Sequence, residues 1–161
     1  MKDLVAIAEQ IAAKLVARKE TVAVAESSTG GLISASLLAV PGASAYFLGG
    51  AVVYTRDARR LLADIPDEAM KGIRSASEPY AQLLAGRIRE RFSTHWGLSE
   101  TGATGPAGNR YGDAAGHSCI AVAGPRSQVI TLETGSADRQ GNMHAFAEKA
   151  LKLLLENVSR D

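Results

Sequence analysis

The sequence predicts one α/β domain over residues 1–161, in three α/β/α layers with a mixed, mostly parallel sheet. Short β-branched runs alternate with longer segments of helical periodicity. Alternation of strands with helices favours parallel pairing. Late in the chain, Gly124-Pro125 separates two strand-like runs as in a hairpin, which is antiparallel. The combination predicts a sheet with both kinds of pairing.

The individual elements follow from apolar periodicity and from capping residues. Leu4, Ile7 and Ile11 share one face of the first helix. Gly42 follows the second helix, and Ser77 precedes a later one as its N-cap. In chain order we expect a helix over 2–19, a strand over 21–25, a helix over 30–39, a strand over 49–54, a helix from 55, a short helix or turn from 66, a helix over 78–94, a strand from 96 that becomes a loop by 108, strands over 116–123 and 127–133, and a helix over 140–157.

The composition excludes several classes of protein. The chain has 18 Lys and Arg against 17 Asp and Glu, so no overall charge attracts nucleic acid or an anionic membrane. A single cysteine, Cys119, excludes an internal disulfide and a multi-cysteine metal site. The apolar stretches are too short to span a membrane, and no signal peptide pattern begins the chain. We therefore expect a cytoplasmic protein that binds no nucleic acid, membrane, metal or cofactor.

The segment 25–31, Ala-Glu-Ser-Ser-Thr-Gly-Gly, joins the first predicted strand to the second helix. Ligands of open α/β sheets bind at such junctions, and a helix N-terminus offers free N–H groups to an anion. In a structural interpretation, one hydroxyl caps the helix and the others satisfy turn amides. In a catalytic interpretation, one serine attacks a carbonyl group while nearby N–H groups hold the oxyanion.

A second motif begins where the next strand ends. Tyr54 is followed within six residues by three arginines. These arginines form either a solvated helix face, in which Arg59 or Arg60 pairs with Asp57 or Asp64, or a clamp for an anion, since guanidinium groups bind phosphate and carboxylate in a bidentate manner.

A third motif, over residues 100–108, is rich in glycine and threonine. Such a run forms either a surface turn or a nest of backbone amides that binds an anion. It lacks the Lys-Ser/Thr ending of a P-loop, which argues against a nucleoside triphosphatase. Farther on, His117 follows the segment 111–116, and its role is either structural or functional. The spacing of the three histidines predicts no metal site.

Together these motifs resemble the CinA C-terminal domain family, whose active members are nicotinamide-nucleotide amidohydrolases. The family pattern Ala-Glu-Ser-Cys-Thr-Gly-Gly matches residues 25–31 with serine in place of cysteine at Ser28. Other family patterns are matched, in order along the chain, by residues 52–59, by 74–78 with Arg74 in place of a glycine, by 101–106, by Gly135 and by Asp138-Arg139.

The resemblance implies a three-layer domain with a mixed sheet, which forms a homo-oligomer. The implied reaction is hydrolysis of the carboxamide of nicotinamide mononucleotide (NMN) to nicotinic acid mononucleotide and ammonia. The implied nucleophile is Ser27, with Tyr54 and Arg59 beside it in the catalytic site. The residues implied to hold the nucleotide are Thr29, Gly30, Gly31, Thr101, Gly102, Thr104, Gly105 and Arg139.

The sequence also departs from the family pattern. The family lysine, a base for the serine, falls on Arg59, and arginine does not release its proton in proteins. The proton would then pass to Tyr54, to His117 or to water. A family arginine of the last helix falls on Met143, and residues 109–117 differ from the family passage. We also expect the chain to lack the N-terminal molybdopterin-binding-like domain of many members.

These departures leave three functions open. The first is the amidohydrolase reaction on NMN or a related small amide. The second is a protein that binds or senses a nucleotide without catalysis, because the lysine is absent. The third is an amidase for another small amide, in which His117 accepts the proton.

Overall fold

The helices and strands occur along the chain in the order that the periodicity predicts. A computed structural model describes residues 1–160. The elements are α1 (Lys2–Arg18), β1 (Val22–Glu26), α2 (Leu32–Leu38), β2 (Phe47–Val52), α3 (Arg56–Ala63), α4 (Glu78–Phe92), β3 (Trp96–Ala103), β4 (His117–Ala123), β5 (Gln128–Glu133) and α5 (Arg139–Ser159), with short 3-10 helices over Ala43–Ala45 and Asp67–Met70.

The strands form one sheet in the order β2-β1-β3-β4-β5. β1 pairs in parallel with β2 and β3, whereas β4 pairs antiparallel with β3 and β5. The predicted mixed sheet is confirmed: within the described residues, four strands run in one direction and β4 opposes them. Because β2, β1 and β3 are adjacent and parallel, their carboxyl ends meet at the same end of the sheet.

Alternating residues of the strands face two different helix layers. Val22 and Val24 of β1 pack in a core with α1, α2 and α5. Ala23 and Ala25 face α3 and α4. The small residues on this second face let α4 approach closely: a Cβ on Gly97 of β3 would lie 2.2 Å from a backbone carbonyl oxygen of α4. The three predicted layers are therefore present.

The element bounds differ from the prediction by a few residues, for local reasons. α2 begins at Leu32 and not at residue 30, because Gly30 and Gly31 adopt positive φ angles of 63° and 108°. β2 ends at Val52 and not at residue 54. Ser93 ends α4 in the left-handed conformation, one residue after Phe92. Among the helices of residues 1–160, none combines the length and the apolar character that crossing a membrane requires.

Candidate active site

A cavity of about 540 Å³ opens at the carboxyl ends of the three parallel strands. Five of the predicted site residues line it. Ser27 follows β1, Tyr54 follows β2, Arg59 lies on α3, and Thr101 and Gly102 end β3. The sheet topology therefore brings together residues that are far apart in sequence. The other predicted residues (Thr29, Gly30, Gly31, Thr104, Gly105 and Arg139) do not line this cavity.

The backbone of Ser27 is hydrogen-bonded to Glu100, whereas its side chain lies at the cavity. Its N–H donates to the carbonyl oxygen of Glu100 and to the carboxyl Oε2 of the same residue, both at 3.1 Å. No hydrogen bond joins the Ser27 hydroxyl to any of residues 1–160. The half-buried hydroxyl faces the cavity with its hydrogen-bonding capacity unused.

Glu100 is the buried carboxyl group that holds the turn after β1. Its side chain is fully buried and accepts hydrogen bonds from the Ser28 hydroxyl at 2.5 Å and from the Thr29 N–H at 3.0 Å. Burial raises the pKa of Glu100, although these hydrogen bonds act in the opposite direction. The Ser28 hydroxyl is therefore part of the interior, which leaves Ser27 as the serine available for chemistry.

Glu26, also fully buried, occupies the N-terminus of α2. Its carboxylate accepts from the N–H groups of Gly31, Ile33 and Ser34 at 2.9, 3.1 and 2.9 Å. The expectation of free N–H groups for an anionic ligand is therefore wrong here, because Glu26 already supplies the negative charge. The structural interpretation needs the same correction: no hydroxyl caps α2.

Thr29, Gly30 and Gly31 shape the turn and do not face the cavity. The Thr29 hydroxyl is buried, 2.7 Å from Oε1 of Glu26 and 3.0 Å from Oε2 of Glu100. The N–H of Gly30 donates to the Ser27 carbonyl at 3.1 Å. The predicted contacts of these three residues with substrate do not fit this geometry, since their polar groups serve the turn itself.

The loop after β3 divides its residues between the cavity and α5. At the cavity, the Thr101 hydroxyl accepts from the Ala76 N–H at 3.1 Å. Farther along, the carbonyl oxygens of Thr104 and Gly105 accept from Asn142 at 2.9 Å and from Arg139 at 2.6 Å. The predicted substrate role does not fit Thr104 and Gly105, because this part of the loop is bound to the last helix.

Arg139 lies at the rim, beside one of the cavity residues. Its guanidinium group lies 3.4 Å from the Tyr54 hydroxyl, to which it donates a hydrogen bond, and it also binds the Gly105 carbonyl. Tyr54 is 60% exposed. Arg139 therefore acts on the cavity through Tyr54 and the loop.

Arg59 is the most buried cation of the cavity, with its side chain 11% exposed. Its Nη2 lies 2.8 Å from Asp67, and its buried Nε has no hydrogen-bond partner among residues 1–160. Asp67 also binds Arg56, and this hydrogen bond is the main cause that lowers the pKa of Asp67 to about 2. The solvated pairing considered for this helix holds for Arg60, which binds Asp57, whereas Arg59 belongs to the cavity.

His117 is placed away from the cavity and holds its wall from behind. Its Nε2 donates to the carbonyl oxygen of Ala76 at 2.7 Å, and its Nδ1 donates to Glu133 at 2.5 Å. Burial lowers the pKa of His117, but the hydrogen bonds to Glu133 and Ala76 and the charge of Asp113 outweigh burial and raise it. Both ring nitrogens are engaged in internal hydrogen bonds and His117 does not line the cavity, so the structure does not support His117 as the base.

The raised pKa makes the contribution of His117 to stability depend on pH. The folded state binds this proton more tightly than the unfolded state does, so the stabilisation is present below the unfolded pKa, about 6.5. It is lost as pH rises through the higher pKa of the folded state. We expect His117→Gln to lower the melting temperature more at about pH 6 than at about pH 9. Glu133→Gln should weaken the same dependence, and a loss that grows with pH would contradict this role.

Most residues of the cavity wall were not among the predicted site residues. Those with cationic or phenolic side chains include Arg74, Tyr80, Arg110 and Tyr111. Burial raises the pKa of Tyr80 to about 12, against the charge of Arg59. Arg74 lies before α4, whereas Arg110 and Tyr111 lie in the loop before β4. The only sequence signal at these positions was a departure from the family pattern.

Comparison with known proteins agrees with this architecture. The sequence matches the family model of the CinA C-terminal domain over residues 4–158. Among solved structures, a competence/damage inducible protein CihA from Agrobacterium tumefaciens superposes with a TM-score of 0.90 at 26% identity, covering 98% of this chain and 96% of that protein. A competence damage-inducible protein A (ComA) from Klebsiella pneumoniae superposes with a TM-score of 0.91 at 23% identity, covering 98% of each chain.

Curated relatives share more sequence identity. A CinA-like protein of Acidobacterium capsulatum is 39% identical over 137 residues, which is 85% of this chain and 33% of that protein. A CinA-like protein of Gloeobacter violaceus is 35% identical over 154 residues, 94% of this chain and 36% of that protein. The chain thus spans about a third of the length of these relatives. The matches cover nearly all of its own length, and the chain belongs to the CinA C-terminal domain family.

Proposed function

We propose that this chain is an amidohydrolase that converts NMN to nicotinic acid mononucleotide and ammonia. The observation that carries the proposal is the Ser27 hydroxyl, which has no hydrogen-bond partner among residues 1–160 and faces a cavity lined by four arginines. A serine nucleophile needs an exposed oxygen beside a bound carbonyl group. An anionic nucleotide needs cations that are already in place. Both requirements meet in one cavity.

In the proposed reaction, Ser27 Oγ attacks the carboxamide carbon and forms a tetrahedral oxyanion. The C–N bond then breaks, ammonia leaves with the proton it needs, and water hydrolyses the resulting ester to the carboxylic acid. A positive charge that is already in place stabilises an oxyanion as its charge develops. Arg59 lines the same cavity as Ser27 and supplies such a charge, whereas the Ser27 N–H already binds Glu100.

The proton of Ser27 needs an acceptor other than Arg59. Of the three candidates from the sequence, His117 lies outside the cavity with both ring nitrogens in use. Tyr54 lines the cavity, and water reaches it. We assign the proton transfer to water or Tyr54 and expect it to be slower than transfer to a well-placed lysine.

This assignment predicts a gain of activity for Arg59→Lys. Burial at position 59 would favour the neutral form of a lysine, although Asp67 acts in the opposite direction, and a neutral lysine can accept the serine proton. We expect ammonia release from NMN to rise by about tenfold or more. Arg59→Met, which removes the charge and adds no base, should lower it. An Arg59→Lys rate at or below that of the wild type would contradict the view that a missing lysine base limits the reaction.

A second candidate function is nucleotide binding without catalysis. It is favoured by one observation: the structure places no base within hydrogen-bonding distance of the Ser27 hydroxyl among residues 1–160. Such a protein would gain thermal stability with NMN and release no ammonia.

The deciding experiment measures ammonia release by the purified protein from NMN, nicotinamide riboside and nicotinamide, together with the shift in melting temperature that each compound causes. Release from NMN that requires Ser27 supports the amidohydrolase. Stabilisation by NMN without release supports the binding function. Neither release nor stabilisation would overturn both functions.

We further propose that the protein acts in the cytoplasm and as a homo-oligomer. The edge strand β2 exposes Leu48 and Val52, which are 46% and 43% accessible, and apolar residues on a sheet edge favour self-association. Light scattering of the purified protein would test the oligomer.

A further inference from the structure

Two guanidinium groups meet over one tyrosine ring in the cavity wall. The Cζ of Arg74 lies 5.3 Å from the centroid of the Tyr111 ring, and the Cζ of Arg110 lies 5.1 Å from it. Arg110 also donates to the Tyr111 hydroxyl at 2.9 Å. Stacking of this kind holds guanidinium groups in place while their other N–H groups stay available. The result is a cationic patch on one side of the cavity.

The charges of the cavity are not balanced. Four arginines line it, at positions 56, 59, 74 and 110. Asp67 pairs with the first two and Asp113 with the third, whereas Arg110 has no carboxylate partner among residues 1–160. Four positive charges less two negative charges leave two. A phosphate monoester carries close to two negative charges at neutral pH and accepts several hydrogen bonds, so its charge matches this excess.

Asp113 holds Arg74 and the loop of the cationic patch in place. Its carboxylate accepts from Arg74 Nη1 at 2.7 Å and Nη2 at 3.1 Å, and from the Asn109 amide at 2.8 Å. The Asn109 N–H also donates to the Asp113 carbonyl oxygen, and the Asp113 N–H donates to the side-chain Oδ1 of Asn109, which closes the loop that carries Arg110 and Tyr111. Because these bonds are internal, the patch exists before any ligand arrives.

Tyr111 reports the same cationic surroundings. The hydrogen bond from Arg110 is the main cause that lowers the pKa of this phenol, with further contributions from Ser75 and Arg74 that outweigh burial. The Tyr111 ring and the two guanidinium groups therefore interact as one cationic patch.

We propose that Arg74, Arg110 and Tyr111 form a subsite for the phosphate monoester of the ligand. The subsite rests on the proposed function, since it supplies the contact that distinguishes NMN from nicotinamide riboside. Arg110 is its main donor, because no carboxylate competes for its guanidinium group.

Calorimetric titration tests the subsite without turnover when it is done in the Ser27→Ala protein. NMN and nicotinamide riboside, which differ by the phosphate, are the two probes. We expect Arg110→Ala to weaken NMN binding by about tenfold or more and to change riboside binding by less than about twofold. Arg110→Lys keeps the positive charge but lacks the planar guanidinium group. Its affinity for NMN should therefore lie between that of the Ser27→Ala protein and that of Arg110→Ala in the same background.

Arg91→Ala is the matched control. Its side chain is partly exposed, it pairs with the carboxylate of Asp64, and it does not line the cavity. The control should leave the affinity for NMN unchanged. Equal weakening of both probes by Arg110→Ala, no weakening of either, or no binding of NMN in the first place would overturn the subsite.

The two proposals fail in different ways. If the wild type releases no ammonia but Arg110→Ala still weakens NMN selectively, the subsite holds and the amidohydrolase proposal fails. If NMN and the riboside are hydrolysed with equal kcat/KM, and Arg110→Ala changes neither, the reaction holds and the subsite fails.

Discussion

Ser27→Ala is expected to lower ammonia release from NMN by about a thousandfold or more, because the variant lacks the oxygen that attacks the carboxamide. The fold should tolerate the change, since no hydrogen bond joins the Ser27 hydroxyl to residues 1–160. We therefore expect NMN to raise the melting temperature of the variant about as much as that of the wild type. The assay is steady-state ammonia release beside a thermal shift.

Ser44→Ala is the control for this prediction, because Ser44 is exposed, lies in the 3-10 helix before β2 and does not line the cavity. It should keep the wild-type rate. Unchanged release in Ser27→Ala would remove Ser27 from the reaction. If Ser27→Ala loses both the ammonia release and the rise in melting temperature that NMN causes, Ser27 is needed for NMN binding.

Glu26→Ala is expected to lower the free energy of unfolding by about 3 kcal/mol or more. The carboxylate accepts four hydrogen bonds, from the Thr29 hydroxyl and from the N–H groups of Gly31, Ile33 and Ser34, all beside a fully buried side chain. Alanine would leave the three N–H groups without these partners, whereas the Thr29 hydroxyl would keep Oε2 of Glu100. Glu26→Gln keeps the shape but loses the charge at the helix N-terminus, so its loss should be smaller.

Urea denaturation of the variants measures this effect. Glu90→Ala is a suitable control, since Glu90 is 72% exposed and makes only a loose ion pair with Arg87 at 3.8 Å. Its free energy of unfolding should stay within about 0.5 kcal/mol of the wild type. Similar losses for Glu26→Ala and Glu90→Ala would show that the buried carboxylate does not hold α2.

Local sequence was sufficient for the fold. Val22 and Val24 alternate with Ala23 and Ala25, and this period of two sends them to the two helix layers. Ser77 caps α4 through its side chain as the N-cap pattern predicts. These features depend on residues a few positions apart, and backbone geometry relates such residues in a regular way.

The candidate site was predictable only in part. Ser27, Tyr54, Arg59, Thr101 and Gly102 reach the cavity because the strands that carry them end together. Thr29 and Gly31 resembled ligand-binding residues, but both donate hydrogen bonds to the carboxylate of Glu26, which belongs to the same motif. Sequence reasoning treated that glutamate as part of the pattern and assigned it no partner.

The sequence by itself determined the order of strands and helices along the chain and the turn that places a serine after β1. Only the tertiary structure decided which polar groups are already bound and which are open. The Ser28 hydroxyl binds Glu100 across 72 positions, and Arg74 binds Asp113 across 39. Hydrogen bonds and ion pairs of this range depend on how distant segments pack, and no local periodicity encodes them. The reactivity of Ser27 and the excess charge of the cavity therefore emerge only in the folded chain.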